Sequence, residues 1–206
     1  MTARQKRALV WGQYALLAAG LSALGYCAMT VVEASRYQDW AREQMRKDRS
    51  ELVEPSTTRS SEAMPQPTPL RRGSGMALVG RIDVPRVHVS VMVAEGTSPR
   101  VLRVAVGHIP GTALPGQAGN VALAAHRDTF FRRLGELKSG DVIRLTVPGR
   151  QYVYSVKFTD IVGPNETWVL EPSTGESLTL VTCYPFYFVG PAPKRFVVRA
   201  RRVASE

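Results

Sequence analysis

The pattern of apolar and polar positions divides the chain into three stretches. In the first, Ala8 to Val32, roughly 25 residues pass without a charged side chain, just after Arg4, Lys6 and Arg7. As a helix that run is about 37 Å long at ~1.5 Å per residue, enough to cross a hydrocarbon core of ~30 Å. Trp11, Tyr14 and Tyr26 lie towards its ends, as interfacial aromatics do. The run exceeds the ~7–15-residue apolar core of a cleaved signal peptide, and no small-x-small site precedes the charged flank. We therefore expect a basic tail over 1–7 and a transmembrane anchor over 8–32. Glu33 to Leu52 mixes charge signs and is helix-prone, with Tyr37 and Trp40 near its start; it reads as a juxtamembrane helix or as a solvated charged stalk. Val53 to Gly75 holds Pro55, Pro65, Pro67, Pro69 and Gly73-Ser74-Gly75, and so predicts a flexible linker that buries no core.

From Met76 the apolar period changes to two. Met76 to Val84 predicts a strand ended by Pro85, and Val87, Val89, Val91 and Val93 predict a second. Ser98 as N-cap, Pro99 at the first helical position and Val101, Leu102 and Ala105 behind them predict one short helix. His108 to Gly119 is a glycine- and proline-rich loop, and Asn120 to His126 a buried apolar strand. Asp128 to Leu137 predicts a short helical turn with Phe130, Phe131 and Leu134 inward. Val142–Val147 and Gln151–Val162 form a hairpin across Pro148-Gly149. Gly163 to Gly175 is a loop, Ser177 to Cys183 a strand stopped by Pro185, and Lys194 to Val203 the last strand. Seven or eight short strands separated by turns predict a closed β-barrel, and the roughly 130 residues of 76–206 are enough for one core.

Composition narrows the function classes. The net charge is +10, with 11 basic and 7 acidic residues before Met76 and 16 and 10 from there on. A basic excess spread this evenly suits anionic surroundings such as membrane lipid or cell-wall polymer. Nucleic-acid binding is not expected, because no cluster of Lys and Arg interleaved with stacking aromatics occurs. Cys27 and Cys183 are too few and too far apart in context for a disulfide framework. With His88, His108 and His126 as the only histidines, no zinc pattern exists.

Three residues share a position where a strand meets a loop: His126, Cys183 and Arg195. Such junctions hold a group in place and leave it accessible. A thiol needs a base, or a cation that stabilises its thiolate, to act near neutral pH, and imidazole can supply either. The tetrahedral intermediate of acyl transfer needs a donor for its oxyanion, and guanidinium is one. Cys183, His126 and Arg195 are thus a sufficient set for transferring an acyl group from an amide. Spacing leaves open the plain alternatives of a buried core cysteine, a capping histidine and a solvated arginine.

Thr179-Leu180-Val181-Thr182-Cys183 resembles the T-L-x-T-C signature of sortases, the membrane-anchored cysteine transpeptidases. Gly107 to Gly116 resembles that family's loop before the histidine strand. His126-Arg127-Asp128-Thr129-Phe130-Phe131-Arg132 resembles its histidine motif, most of all in class D sortases. Tyr184-Pro185-Phe186 through Pro191-Ala192-Pro193-Lys194-Arg195-Phe196 resembles the loop leading to its arginine. The resemblance covers about residues 76–203. It implies a mainly β fold: an eight-stranded sortase-type barrel with one or two short helices, preceded by the transmembrane helix. It also implies Cys183 as nucleophile, His126 as general acid/base and Arg195 as stabiliser of substrate and transition state. Thr182 and His108 are expected at the substrate groove, His108 by shaping its loop or by contacting substrate.

The resemblance further implies cleavage of an L-P-x-T-G/A-like sorting signal on secreted proteins. The acyl group would pass through a Cys183 thioester to an amine of a cell-wall precursor or pilin lysine, or to water. The resemblance places the domain, expected to be a monomer, on the outer side of a bacterial cell membrane, held by a single pass. No cofactor is expected. Some sortases bind calcium beside the substrate loop, but Glu166, Glu171 and Glu176 in the corresponding stretch are scattered, so no metal site is expected. Two rival readings remain: a catalytically silent peptide-binding barrel, and another cysteine acyl-transferase acting directly on peptidoglycan. The second lacks its Ser-His-Gly-Cys motif here.

Overall fold

The computed structural model describes residues 3–53, 72–73, 76–188 and 190–203. The chain divides into two compact units, Met1–Arg36 and Tyr37–Glu206. Helix α1 spans Ala3–Val53. No glycine or proline stands between Tyr26 and Val53, so nothing in the backbone breaks the helix at the expected boundary near residue 32. Its N-terminal part is long and apolar enough to cross a membrane by length and composition. Leu16, Leu17, Leu21, Leu24 and Met29 are exposed on it.

Within the second unit, the helix residues from Tyr37 onward pack on the barrel. Tyr37, Gln38 and Ala41 are buried. The Gln38 side chain donates from Nε2 to the Val104 carbonyl (2.7 Å) and accepts at Oε1 from the Met92 amide (2.8 Å). One side of this segment is therefore core, whereas a solvated stalk would bury neither. The linker expected over 53–75 lies outside the described residues except for Val53 and the two-residue strand β1 (Arg72–Gly73), which pairs antiparallel with the start of β2.

The barrel strands are β2 (Met76–Val84), β3 (Val89–Glu95), β4 (Val106–His108), β5 (Gly119–Ala124), β6 (Val142–Val147), β7 (Arg150–Val162), β8 (Glu176–Tyr184) and β9 (Lys194–Arg202). Their spatial order is β2-β3-β4-β5-β8-β9-β7-β6, and β6 pairs back onto β2, so the eight strands close. Closure leaves no free edge among them. The seam is tight at Gly80, where a Cβ would run into the Thr146 carbonyl. β3–β4 and β5–β8 are parallel and the other barrel pairs antiparallel. Each parallel pair needs a crossover. Helix α2 (Pro99–Val104), capped by the Ser98 hydroxyl, supplies the first, and the segment from β6 through β7 supplies the second.

Alternate residues fill the interior: Ile82, Val93, Leu123, Ile143, Leu145, Tyr154, Leu178, Leu180 and Val198 are fully buried in one cluster. Phe131 and Leu134, from the turns after β5, join that cluster, and Phe130 packs against it half-buried. The expected helical turn over 128–137 is a series of turns with one 3-10 turn at Leu134–Glu136.

Candidate active site

β8 alternates along its length. Leu178 and Leu180 lie in the barrel core, so Cys183 takes the opposite face with Val181 and with Thr179, which is itself buried under the β7–β8 loop. Cys183 is a free, half-buried thiol. Directly across the β8–β9 ladder its partner is Arg195. On the other side β5 runs parallel to β8 with Ala124 beside Val181. The ladder goes one bond further, from the Ala125 amide to the Val181 carbonyl (3.3 Å). Val121, Leu123 and Ala125 face inward, so the parity turns His126 outward. His126 follows two residues past the last β5–β8 pair, beyond the end of β5. Cys183 and Arg195 thus share one row, and His126 lies just past the end of the neighbouring strand.

Burial fits the row. His126 is exposed, Cys183 and Arg195 half-buried. The His126 carbonyl accepts from the Phe131 amide (3.2 Å), which fixes the backbone where β5 leaves the barrel. Arg195 donates from Nη1 to the carbonyls of Ala192 (3.1 Å) and Lys194 (2.9 Å). Its Nε and Nη2 have no hydrogen-bond partner among the described residues.

Two loops flank the row, and each is tied down by polar side chains. The β7–β8 loop carries a 3-10 turn, Thr167–Leu170, whose Val169 packs on Val162 and Val197. The Val169 carbonyl accepts from Asn120 Nδ2 (3.0 Å) and Arg199 Nη1 (2.7 Å). Thr179 Oγ1 lies 2.7 Å from Asn120 Oδ1 and accepts from Arg199 Nη1 (2.8 Å). Burial, with Arg201 nearby, pulls the Arg199 guanidinium below its ordinary value. The β8–β9 loop is held by Arg127, which donates to the carbonyls of Pro185, Phe188 and Gly190. None of Asn120, Thr179, Arg199 and Arg127 stands out as a site residue in the sequence; only Thr179, the first residue of the T-L-x-T-C match, and Arg127, beside His126, had a signal.

The other expected residues take defined places. Thr182 is buried and donates from Oγ1 to the Ala125 carbonyl (2.8 Å), one residue before His126. His108 is buried in β4. Its Nδ1 lies 2.7 Å from Glu95 Oε2, and its Nε2 3.0 Å from the Ala113 carbonyl and 3.1 Å from Thr112 Oγ1. It braces the 109–113 turn from beneath. Glu166 accepts from the Gly163 amide and Trp168 Nε1, and Glu176 pairs with Arg202. Among the described residues no three His, Cys, Asp or Glu side chains converge on a common point.

The Sortase domain model matches residues 82–203. Sortase D of Bacillus subtilis (strain 168) is 31% identical over 190 residues, 91% of this chain and 96% of that protein. Sortase A of Listeria monocytogenes is 33% identical over 111 residues, 52% of this chain and 50% of that protein. Among solved structures, a sortase D5 transpeptidase of Clostridium perfringens shares the fold, with a TM-score of 0.63 at 23% identity over 82% of this chain and 98% of that one. Sortase C-1 of Actinomyces oris gives 0.58 at 35% identity over 62% of this chain and 75% of that one. The barrel, the matched span and near-complete coverage of a class D relative agree: the chain belongs to the sortase family.

Proposed function

We propose that this sortase is a membrane-anchored cysteine transpeptidase that cleaves an L-P-x-T-G/A-like sorting signal. What supports the reading is the direct pairing of Cys183 with Arg195 on the β8–β9 ladder, with His126 two residues past the last β5–β8 pair. Cys183 Sγ, as thiolate, attacks the carbonyl carbon of the Thr–Gly or Thr–Ala amide. Arg195 donates to the oxyanion, and its free Nε and Nη2 are the atoms available for it. His126 gives its proton to the departing amine nitrogen, and the C–N bond breaks to leave a thioester on Cys183. An amine then attacks the thioester carbonyl and loses its proton to His126, while Cys183 leaves as thiolate. Water in place of the amine gives hydrolysis. The acceptor amine belongs to a cell-wall precursor or a pilin lysine.

Residues 8–32 anchor the chain in the cell membrane by a single pass, and the barrel faces the exterior, where secreted substrates and wall precursors are found. Thr182 and His108 act from beneath the wall: Thr182 holds the strand end that carries His126, and His108 holds the loop before β5.

The test is mass spectrometry of the protein incubated with L-P-x-T-G and L-P-x-T-A peptides. A covalent acyl adduct on Cys183, absent in Cys183→Ala, supports the transpeptidase. Noncovalent binding with no adduct from any sorting-type peptide would favour the peptide-binding barrel instead.

A further inference from the structure

Arg127 follows His126 directly, yet its side chain reaches across to the loop that follows Cys183. Nη1 donates to the Pro185 carbonyl (3.0 Å); Nη2 donates to those of Phe188 (2.6 Å) and Gly190 (3.0 Å). Its Cζ also lies 5.8 Å from the centre of the Phe188 ring, over its face. Three carbonyls spread over six residues are gathered by one planar fork. Only guanidinium has the number and fixed spread of donors for this; an ammonium is a compact point charge. Elsewhere the loop is held near its ends, by Phe186 packed on the core, Tyr184 and Phe196 and by Arg195 on the Ala192 carbonyl. At its tip Tyr187 is almost fully exposed and Phe188 half so, and among the described residues the backbone bond from the Phe188 amide to the Pro185 carbonyl is long at 3.4 Å.

The same loop delivers Arg195. Of the two carbonyls that receive Arg195 Nη1, that of Ala192 lies near the end of this loop and that of Lys194 opens β9. One side chain therefore connects the segment bearing His126 with the segment joining Cys183 to Arg195. We infer that Arg127 is a positioning residue for the reaction: it locks the β8–β9 loop and thereby fixes His126 and Arg195 relative to Cys183. The inference deepens the proposed function and rests on it. Because the groups it places act on reacting atoms, its loss should fall on the acylation rate more than on substrate affinity. A displacement of about 1 Å of a catalytic group can cost roughly a hundredfold.

The experiment compares the parent with Arg127→Ala and Arg127→Lys in two assays. The first is single-turnover acylation of Cys183 by a sorting-type peptide. The second is chymotrypsin cleavage after Tyr187 and Phe188, which does not depend on activity. We expect Arg127→Ala to acylate at least about tenfold more slowly. Half-saturating peptide concentration should stay within about threefold, and the loop should be cut faster. Arg127→Lys should recover little of either, and it serves in place of Arg127→Ala if that variant does not fold. Acylation within twofold of the parent, or loop cleavage at the parental rate, overturns the inference. A parent that never acylates sinks the proposed function and, with it, the catalytic part of the inference; the cleavage assay alone then decides whether the clamp exists.

Discussion

Cys183 and Arg195 are direct partners on the β8–β9 ladder. Side chains in such a pair point to the same face with their Cβ atoms about 4.5–5.5 Å apart. Two of the guanidinium's contacts, to the Ala192 and Lys194 carbonyls, set its orientation before any substrate arrives. If Arg195 is the oxyanion donor, Arg195→Ala should lower the acylation rate by about 10²–10³, the usual cost of removing one such donor. Arg195→Lys keeps the charge but not the fork, so it should recover less than a tenth of the parental rate. Single-turnover acylation at saturating peptide measures both, and full activity in Arg195→Lys would show that charge alone suffices.

Thr182 tests how the histidine segment is held. Its hydroxyl is buried and bonded to the Ala125 carbonyl. Thr182→Val keeps the shape and removes the donor, leaving that carbonyl short of a partner at a cost of about 1–3 kcal/mol. The urea midpoint should fall with an unchanged slope. The acylation rate measured under fully folded conditions should fall too, because the next residue is His126. Loss of stability with unchanged acylation would limit Thr182 to packing.

Elements set by local chemistry were legible in the sequence. Pro148-Gly149 announced the β6–β7 hairpin, Ser98-Pro99 the start of α2, and Pro185 the end of β8. Cys183, His126 and Arg195 were legible as strand-end residues, and their motifs carried the family. The structure adds the register, Cys183 opposite Arg195 and β5 beside β8 just ahead of His126, because pairing between β5 and β8, far apart in sequence, is set by the closed barrel rather than by either strand. β4 was not legible: three residues, one of them Gly107, carry no period, and the strand exists because β3 and β5 lie on either side. Nor were the loop clamps. Arg127 and Arg199 bind backbone carbonyls, and a carbonyl leaves no mark in a sequence.

Asn120 and Arg199 share the Val169 carbonyl and Thr179 Oγ1, so their effects should not add. Each replacement by alanine should cost about 1–3 kcal/mol, since buried polar partners are left behind. The double variant should cost less than the sum by at least ~0.5 kcal/mol, as for neighbours in one network. Both should loosen the turn that carries Trp168, raise the half-saturating peptide concentration and shift the Trp168 emission to the red, read against a Trp168→Phe control. Strict additivity with unchanged emission would mean that the loop is held by its apolar contacts to Val162 and Val197 alone.

Glu166 gives the same loop a pH dependence with a definite sign. Its carboxylate accepts from the Gly163 amide (2.8 Å) and from Trp168 Nε1 (3.1 Å), with Lys194 nearby. These bonds, the backbone one first, hold its carboxyl below the usual value of 4.5. A depressed folded-state value means that the turn is favoured while Glu166 is ionised. That contribution is fully present above the ordinary carboxylate value and is lost as pH falls through the depressed one. The group is exposed, so the effect is local, and salt should weaken the part due to Lys194. The indole N–H of Trp168, followed by NMR from pH 6 down to pH 3, should therefore keep its bonded chemical shift to below pH 4.5 and then move. Glu166→Gln should show no such step. A step at or above 4.5, or one that persists in Glu166→Gln, would assign the transition to another group.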